Sequence, residues 1–423
     1  MAIKRVPLDS LKPGMYIHRV DCGWLHNPYM RSSFLLDDER VIRALAERDV
    51  QHVYIDTGRG RDVEDAAPAP DFASCVSLTA PSAPVTVIPR VPMDEELPNA
   101  QRILSCATRV LDDVFRDLRL GKQIRDDRAK GVVAEMTESV FRNRFALSGL
   151  SSIKEKDDYT FTHSVNVCVL MLTFARARGA PREKIEEIGV GALLHDVGKV
   201  KVDDRILNKP GPLNHDEIVM MKAHVTHGLE LLSRVTGLSP SAMALVAQHH
   251  ERLDGRGYPL GLEGEALSEE GQMASIVDMY DAITSDRCYR KAKSPNTALK
   301  EIYELAGSHF EKRLVESFIR AVGIYPAGTL VRTASGFLGV VVENDGDNLL
   351  RPKVRFIYNL KKGSFIAPRL VDMGRQAGGS CDTILGSEDP GRWNVNPHDF
   401  TGMFGRPFTA KPFSAGSSGA APR

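Results

Sequence analysis

PREKIEEIGVGALLHDVGK, residues 181–199, carries a helical run that ends on an adjacent histidine and aspartate, His195-Asp196. Pro181 stands where a helix begins, a position at which its missing N–H costs nothing. Outward from this stretch, helical spacing recurs between Tyr159 and Gly323. It is seen in HDEIVMMKAHVTHGLELLSRV (215–235), SAMALVAQHH (241–250) and GQMASIVDMYDAITS (271–285), with further helices after Pro295 and near Phe310. The pattern predicts a helical bundle over 149–323.

Seven of the twelve histidines fall between His163 and His250, inside that bundle, and they include the adjacent pair His249-His250; Asp278 follows on a later helix. One helical histidine is more often a satisfied core or surface residue than a ligand. Burying so many ionisable groups near helix ends without a metal would cost on the order of several kcal/mol each. The set is imidazole and carboxylate with no thiolate, which suits Fe or Mn in a high-coordinate site better than structural zinc. Asp196, with two oxygens, is the natural bridge between two ions. Two metals about 3.5–4 Å apart can clamp the attacking hydroxide and the phosphate oxygens of an in-line displacement. The chemistry expected is phosphoester hydrolysis.

At 423 residues the chain is long enough for about two or three domains, and 42% apolar residues suffice for a large core. Zero net charge gives no general argument for nucleic acid or a membrane surface. The six cysteines are scattered without a CxxC pair, as for reduced thiols in a cytoplasmic protein. MAIKRVPLDSLKPGM lacks a signal-peptide apolar run, and the apolar run Val165 to Phe174 is too short to span a bilayer.

Residues 1–65 read as a small α/β regulatory module, with a strand at Met15-Tyr16-Ile17, a helix over DERVIRALAER (38–48) and a strand at QHVYID (51–56). Seven prolines between Ala66 and Ala100 mark a Pro/Ala-rich linker, 66–100. Connecting helices are expected over 101–148. A β extension over 324–375 follows from the alternation in TLVRT, FLGVVVEN and KVRFIYNL. Residues 376–423 are expected to be a disordered tail, most plainly from Gly405 onward. The fold class is therefore mainly α, a helical bundle between an α/β module and a β extension.

HDVGK (195–199) resembles the signature of the HD phosphohydrolase superfamily. HHERLDGRGYP (249–259) is more specific and matches the motif of the HD-GYP family, as does the arginine-containing turn SDRCYRKA (285–292). The match runs from about Asp157 to Gly323. LKPGMYIHRVD (11–21) and the stretch Trp24 to Pro28 resemble the small uncharacterised domain often found ahead of HD-GYP modules. The resemblance implies an HD-type bundle that hydrolyses cyclic di-GMP to pGpG, and onward to GMP in many members.

Carried over by residue, the resemblance implies metal ligands at His163, His195, Asp196, His224, His249, His250 and Asp278. His224 is preferred to His227 because it stands four residues before Gly228. Lys199, one helical turn from His195, would orient phosphate or hydroxide; the alternative is a lysine favoured by a helix C-terminus. Asp281 shares the face of Asp278 and would act as a base or orient a ligand. Arg287 and Arg290 resemble the pair that grips the dinucleotide phosphates, against the alternative of two solvated arginines. Tyr258 brings the one reactive side chain of the GYP loop, which would line the pocket or meet a partner. Some members place a glutamate four residues before the first histidine to help hold a third metal. Here that residue is Tyr159, with Asp157 and Asp158 nearby, so two divalent ions are expected rather than three.

Three alternatives stay open: an HD hydrolase of another nucleotide or cyclic dinucleotide, a signalling scaffold that binds without hydrolysis, and di-iron oxygenase chemistry. None of the seven expected ligands is missing, which weighs against the scaffold. The N-terminal module has no readable haem, phosphoacceptor or nucleotide motif. Regulation, homodimerisation and docking of signalling partners are all open to it.

Overall fold

The computed structural model describes residues 3–20, 33–46, 50, 52–63, 91–122, 126–151, 159–286, 292–344, 350–375 and 382–400. Near the N-terminus, alternating apolar residues pair as short antiparallel strands. These are β1 (Ile3–Pro7), β2 (Tyr16–Val20), β3 (Phe34–Leu35) and β4 (His52–Asp56), in the order β1-β4-β2-β3. Helix α1 (Glu39–Ala46) closes one face, and Val6, Ile17, Leu36, Leu45, Val53 and Ile55 are buried there. Tyr54 points the other way, and its hydroxyl donates to the backbone oxygen of Glu304 at 2.8 Å.

The helical part follows as α2 (Met93–Arg119), α3 (Asp126–Arg142), α4 (Ala146–Ser151), α5 (Tyr159–Ala177) and α6 (Arg182–Leu194). After a 3-10 turn at Val197–Lys201 come α7 (Asp204–Leu207), α8 (His215–Lys222), α9 (His224–Leu232) and α10 (Pro240–Gln248). The last three are α11 (Glu269–Thr284), α12 (Pro295–Glu304) and α13 (Lys312–Val322). One continuous core, from Ala100 to Ile324, joins all but the short α7 and α8. Helix α2 begins inside the stretch 66–100 that composition assigns to a linker. Asp94, Glu95 and Glu96 in its first turn favour the positive end of the helix dipole. Pro98 lies in its exposed early turns, while Ala100, Ile103, Ala107 and Leu111 keep a buried stripe at helical spacing. Residues 64–90 lie outside the described residues.

The C-terminal alternation forms β5 (Leu330–Thr333), β6 (Phe337–Glu343), β7 (Lys353–Asn359) and β8 (Ser364–Asp372). A fifth strand, β9 (Ile384–Ser387), pairs antiparallel with β5, giving the sheet order β8-β7-β6-β5-β9. This strand falls in the segment expected to be a disordered tail. Four residues are too few to show alternation, and pairing with β5 stabilises what the local sequence does not. Val395 and Phe400 then cover one sheet face with Leu330, Leu338, Val340 and Ile357, and Trp393 packs beside them. The rest of that segment, 401–423, lies outside the described residues. The class is as expected: mainly α, with a small sheet module at each end. No helix among the described residues is long and apolar enough to cross a membrane.

Two close approaches set the geometry of the bundle. A β-carbon at Gly198 would lie 1.8 Å from the backbone oxygen of His224 and 2.4 Å from the backbone nitrogen of Gly228, so the 3-10 turn lies directly on α9. Glu96, 3% exposed, accepts from Arg142 at 2.7 and 2.8 Å, Ser139 at 2.7 Å and Asn99 at 2.9 Å, tying α2 to α3. Burial alone would raise its pKa, but the bonds from Arg142, Asn99 and Ser139 win and hold it below the usual range.

Two outcomes follow for urea unfolding. Gly198→Ala costs about 3 kcal/mol, the upper end for overpacking, because the obstacle is backbone. Arg142→Met strands the Glu96 carboxylate and costs about 3 kcal/mol at pH 7. A depressed acid adds stability above its unfolded pKa and loses it as pH falls through the folded one. The wild type therefore weakens below about pH 4, where the stranded carboxyl of Arg142→Met is neutralised, and the gap between the two narrows. An equal gap at pH 7 and pH 4 would rule out this account.

Candidate metal centre

Helix ends leave backbone carbonyls without intrahelical partners, and three histidines meet that need. His195 follows the last residue of α6, His249 follows α10, and His224 begins α9 just beyond α8. Each ring donates from Nδ1 to the carbonyl three residues back: His195 to Ala192 at 2.8 Å, His224 to Met221 at 2.6 Å, His249 to Val246 at 2.8 Å. A carbonyl only accepts, so Nδ1 carries the proton and each Nε2 turns inward with its lone pair.

These lone pairs converge. The Nε2 atoms of His224 and His249 face each other at 3.3 Å. His195 Nε2 is buried with no hydrogen-bond partner among the described residues. Burial lowers the pKa of His224 to about 4, against the pull of Asp196. Burial, with His195 and His224 beside it, lowers His249 to about 3, and burial with His249 lowers His250 as well. Neutral imidazoles with lone pairs pointing at one another are repulsive unless a cation lies between them.

Asp196 divides its two oxygens. Oδ2 pairs with Lys199 and stands 3.4 Å from His195 Nε2 and 3.6 Å from His163 Nε2. Oδ1 turns the other way, 3.4 Å from His224 Nε2, and is buried without a hydrogen bond among the described residues. Burial opposes its charge, yet Lys199 and His195 hold the carboxyl well below the usual range. Asp278 stands 3.0 Å from His163 Nε2, 4.0 Å from His195 Nε2 and 3.6 Å from His250 Nδ1. Burial opposes the charge of Asp278 too, and His163 and His250 keep it below the usual range. Asp281 accepts from His163 Nδ1 at 2.7 Å and from Ser285 at 3.1 Å. Burial disfavours a charged His163, but Asp278 and Asp281 flank the ring and push it up to about 9.

Three groupings hold their candidate ligand atoms within 4.8 Å of one another: His163 with His195 and Asp278, His195 with Asp196 and His249, and His224 with His249 and His250. All seven expected ligands belong to this chain of overlapping groups. An unpaired carboxylate oxygen and inward lone pairs fit divalent cations. Lys199 and Asp281 touch the cluster through Asp196 and His163. His227 is half-buried and belongs to none of the groupings. Arg287 and Arg290 lie outside the described residues, as do Asp157, Asp158 and the side chain of Tyr159.

Tyr258 stacks on His250 with ring centroids 4.6 Å apart. Its hydroxyl is buried without a hydrogen-bond partner among the described residues, and burial with Asp278 and Asp196 nearby raises its pKa well above the ordinary value. The residue that sequence reasoning left without a role is Glu251. Its carboxylate accepts from the backbone N–H groups of Leu260 at 2.7 Å, Gly261 at 3.1 Å and Leu262 at 3.1 Å, and so clamps the loop that carries Tyr258. Gly257 completes the clamp, since a β-carbon there would lie 2.4 Å from Glu251 Cα. The signal was present: an acid immediately after two adjacent histidines, ahead of a glycine-rich loop.

Comparison with known proteins agrees with this picture. The HD domain family matches residues 146–314, and a domain of unknown function, DUF3391, matches residues 3–129, so the N-terminal match extends through α2. The chain is 38% identical over 404 residues to a cyclic di-GMP phosphodiesterase of Pseudomonas aeruginosa, covering 95% of this chain and 96% of that one. It is 37% identical over 191 residues to the cyclic di-GMP phosphodiesterase response regulator RpfG of Xanthomonas campestris, 45% of this chain and 50% of that one. A 3'3'-cGAMP-specific phosphodiesterase of Vibrio cholerae is 34% identical over 167 residues, 39% of this chain and 32% of the other. With near-complete coverage of the Pseudomonas protein at this identity, the chain belongs to the HD-GYP family of cyclic di-GMP phosphodiesterases, preceded by a DUF3391 domain.

Proposed function

We propose that this centre holds two divalent ions, Fe or Mn, and hydrolyses cyclic di-GMP to linear pGpG, with GMP as the product of any onward cleavage. The observation that carries the reading is the convergence of the His224 and His249 lone pairs on a carboxylate, Asp196, whose oxygens face two ways. His163, His195, His224, His249, His250, Asp196 and Asp278 are the ligands in this reading, with Asp196 as the bridge. When bound, the ions supply a water of lowered pKa and a clamp on phosphate oxygens.

The protein's own groups do the rest. Asp281 fixes the ring of His163 through Nδ1 and so sets where Nε2 points. Lys199, paired with Asp196, stabilises the charge that develops on the phosphate. Arg287 and Arg290 would hold the dinucleotide phosphates, and Tyr258 lines the pocket on the His250 side. Water adds to phosphorus as the bond to the 3′-oxygen breaks, and that oxygen leaves protonated as a hydroxyl. This reading places the reaction in the cytoplasm. Protein partners would meet the GYP loop or the N-terminal module, and the same module would serve a homodimer.

Purified, metal-analysed protein incubated with cyclic di-GMP is expected to yield pGpG, then GMP, by chromatography with Mn or Fe loaded. Asp196→Ala loses both bound metal and turnover; full activity in that variant sinks the assignment. Asp281→Asn weakens metal binding about 10–100-fold while the fold stays intact. Faster cleavage of 3'3'-cGAMP than of cyclic di-GMP would move the substrate to the other cyclic dinucleotide.

A further inference from the structure

We infer that Lys222 is a substrate-binding residue, a further cation, in addition to Arg287 and Arg290, on the second, uncleaved phosphate of the cyclic dinucleotide. The inference rests on the hydrolysis proposed above and adds a residue that the HD and GYP motifs do not contain. Lys222 ends α8, one residue before the Ala223 that separates it from His224. Its side chain is half-buried, with Nζ 5.1 Å from the centroid of the Tyr258 ring. Tyr258 in turn stacks on His250 at 4.6 Å. A single aromatic ring thus links the ammonium to the candidate metal centre.

Two observations mark this place as a ligand position. The first is the missing counter-charge. Lys184, Lys199, Lys209 and Lys293, the comparable partly buried lysines of the bundle, each reach a carboxylate. Among the described residues no carboxylate stands within ion-pair reach of Lys222, whose recorded contact is the face of Tyr258. An ammonium withdrawn from water without an anion is costly, and an aromatic face offsets only part of that cost. The second is the Tyr258 hydroxyl, buried and without an acceptor among the described residues. A hydroxyl and an ammonium on the same ring, both lacking an anionic oxygen, call for a group rich in such oxygens.

Which phosphate it is follows from position. The scissile phosphate belongs at Asp196 and Lys199, where the candidate ligands converge. Lys222 shows no ion pair with Asp196 and meets the candidate ligands through the Tyr258 ring, which stacks on His250. A cyclic dinucleotide carries two phosphates in one ring, so anchoring one at the centre leaves the other beside it. A point charge on a flexible stem suits that outer phosphate, whose oxygens need holding and not activating.

The test uses the full-length, metal-loaded protein and Lys222→Met and Lys222→Arg. With cyclic di-GMP, Lys222→Met is expected to raise KM about tenfold or more, the scale of one lost charge-assisted contact, with most of the effect in KM and little in kcat. The loss in kcat/KM on cyclic di-GMP should exceed that on bis(p-nitrophenyl) phosphate, a diester with one phosphate, by about tenfold. Lys222→Arg recovers most of the affinity, and the salt dependence of KM flattens in Lys222→Met. Parallel losses on both substrates, loss of bound metal, or an unchanged KM would each overturn the inference. Calorimetry with a cleavage-resistant phosphorothioate analogue of cyclic di-GMP separates the two readings. Equal affinity in wild type and Lys222→Met overturns the role of Lys222, whereas unequal affinity without any turnover of cyclic di-GMP overturns only the hydrolysis.

Discussion

A hydrogen bond from an imidazole to a helix-end carbonyl is the constraint on which the rest of this centre depends. The last carbonyls of α6, α8 and α10 have no partner within their helices, and His195, His224 and His249 supply one. One bond does two jobs. It satisfies a buried backbone acceptor, and it fixes the tautomer, so that the opposite nitrogen faces inward as a lone pair. The helix termini thereby become candidate ligand positions. This explains why these three histidines sit at element ends, whereas His163, inside α5, bonds the Asp281 carboxylate instead.

Tight backbone contacts keep those termini in place. The 3-10 turn after His195-Asp196 can lie on α9 only because residue 198 lacks a side chain, and that contact brings Asp196 to His224. On the far side, Glu251 holds three successive N–H groups of the loop that folds Tyr258 over His250. Gly198 of HDVGK and Gly257 of the GYP segment are therefore packing requirements of the His/Asp cluster, since a side chain at either would overlap backbone atoms that cannot yield.

The helical bundle and the ligand cluster were legible because both are written as spacing: apolar stripes at helical intervals, with histidines and acids at the breaks. Two features were not. Helix α2 starts at Met93 in a stretch whose prolines suggest a linker; the acidic first turn was the competing signal, and tertiary burial of Ala100, Ile103 and Leu111 decides it. Strand β9 is four residues long and owes its structure to β5, so no local pattern announces it. At the site, Glu251 was visible as a residue but not as a clamp, since its partners are backbone N–H groups nine to eleven positions away. A sequence shows side chains, and this clamp is made with main chain.

Electrostatics connects the cluster to its substrate. Asp196, Asp278 and Asp281 bring three negative charges into a buried volume, against the ammonium of Lys199 and a His163 raised by its two flanking carboxylates. The described residues of the cluster, taken alone, therefore do not attract a dinucleotide that carries two phosphates. Divalent ions would reverse that sign at the same place where they satisfy the inward lone pairs, so one requirement governs both loading and recognition. The carboxylates that make the centre hospitable to metal are the groups that would exclude the substrate without it. A cation set apart from them, as Lys222 is, can act on the outer phosphate without being neutralised by the ligand carboxylates.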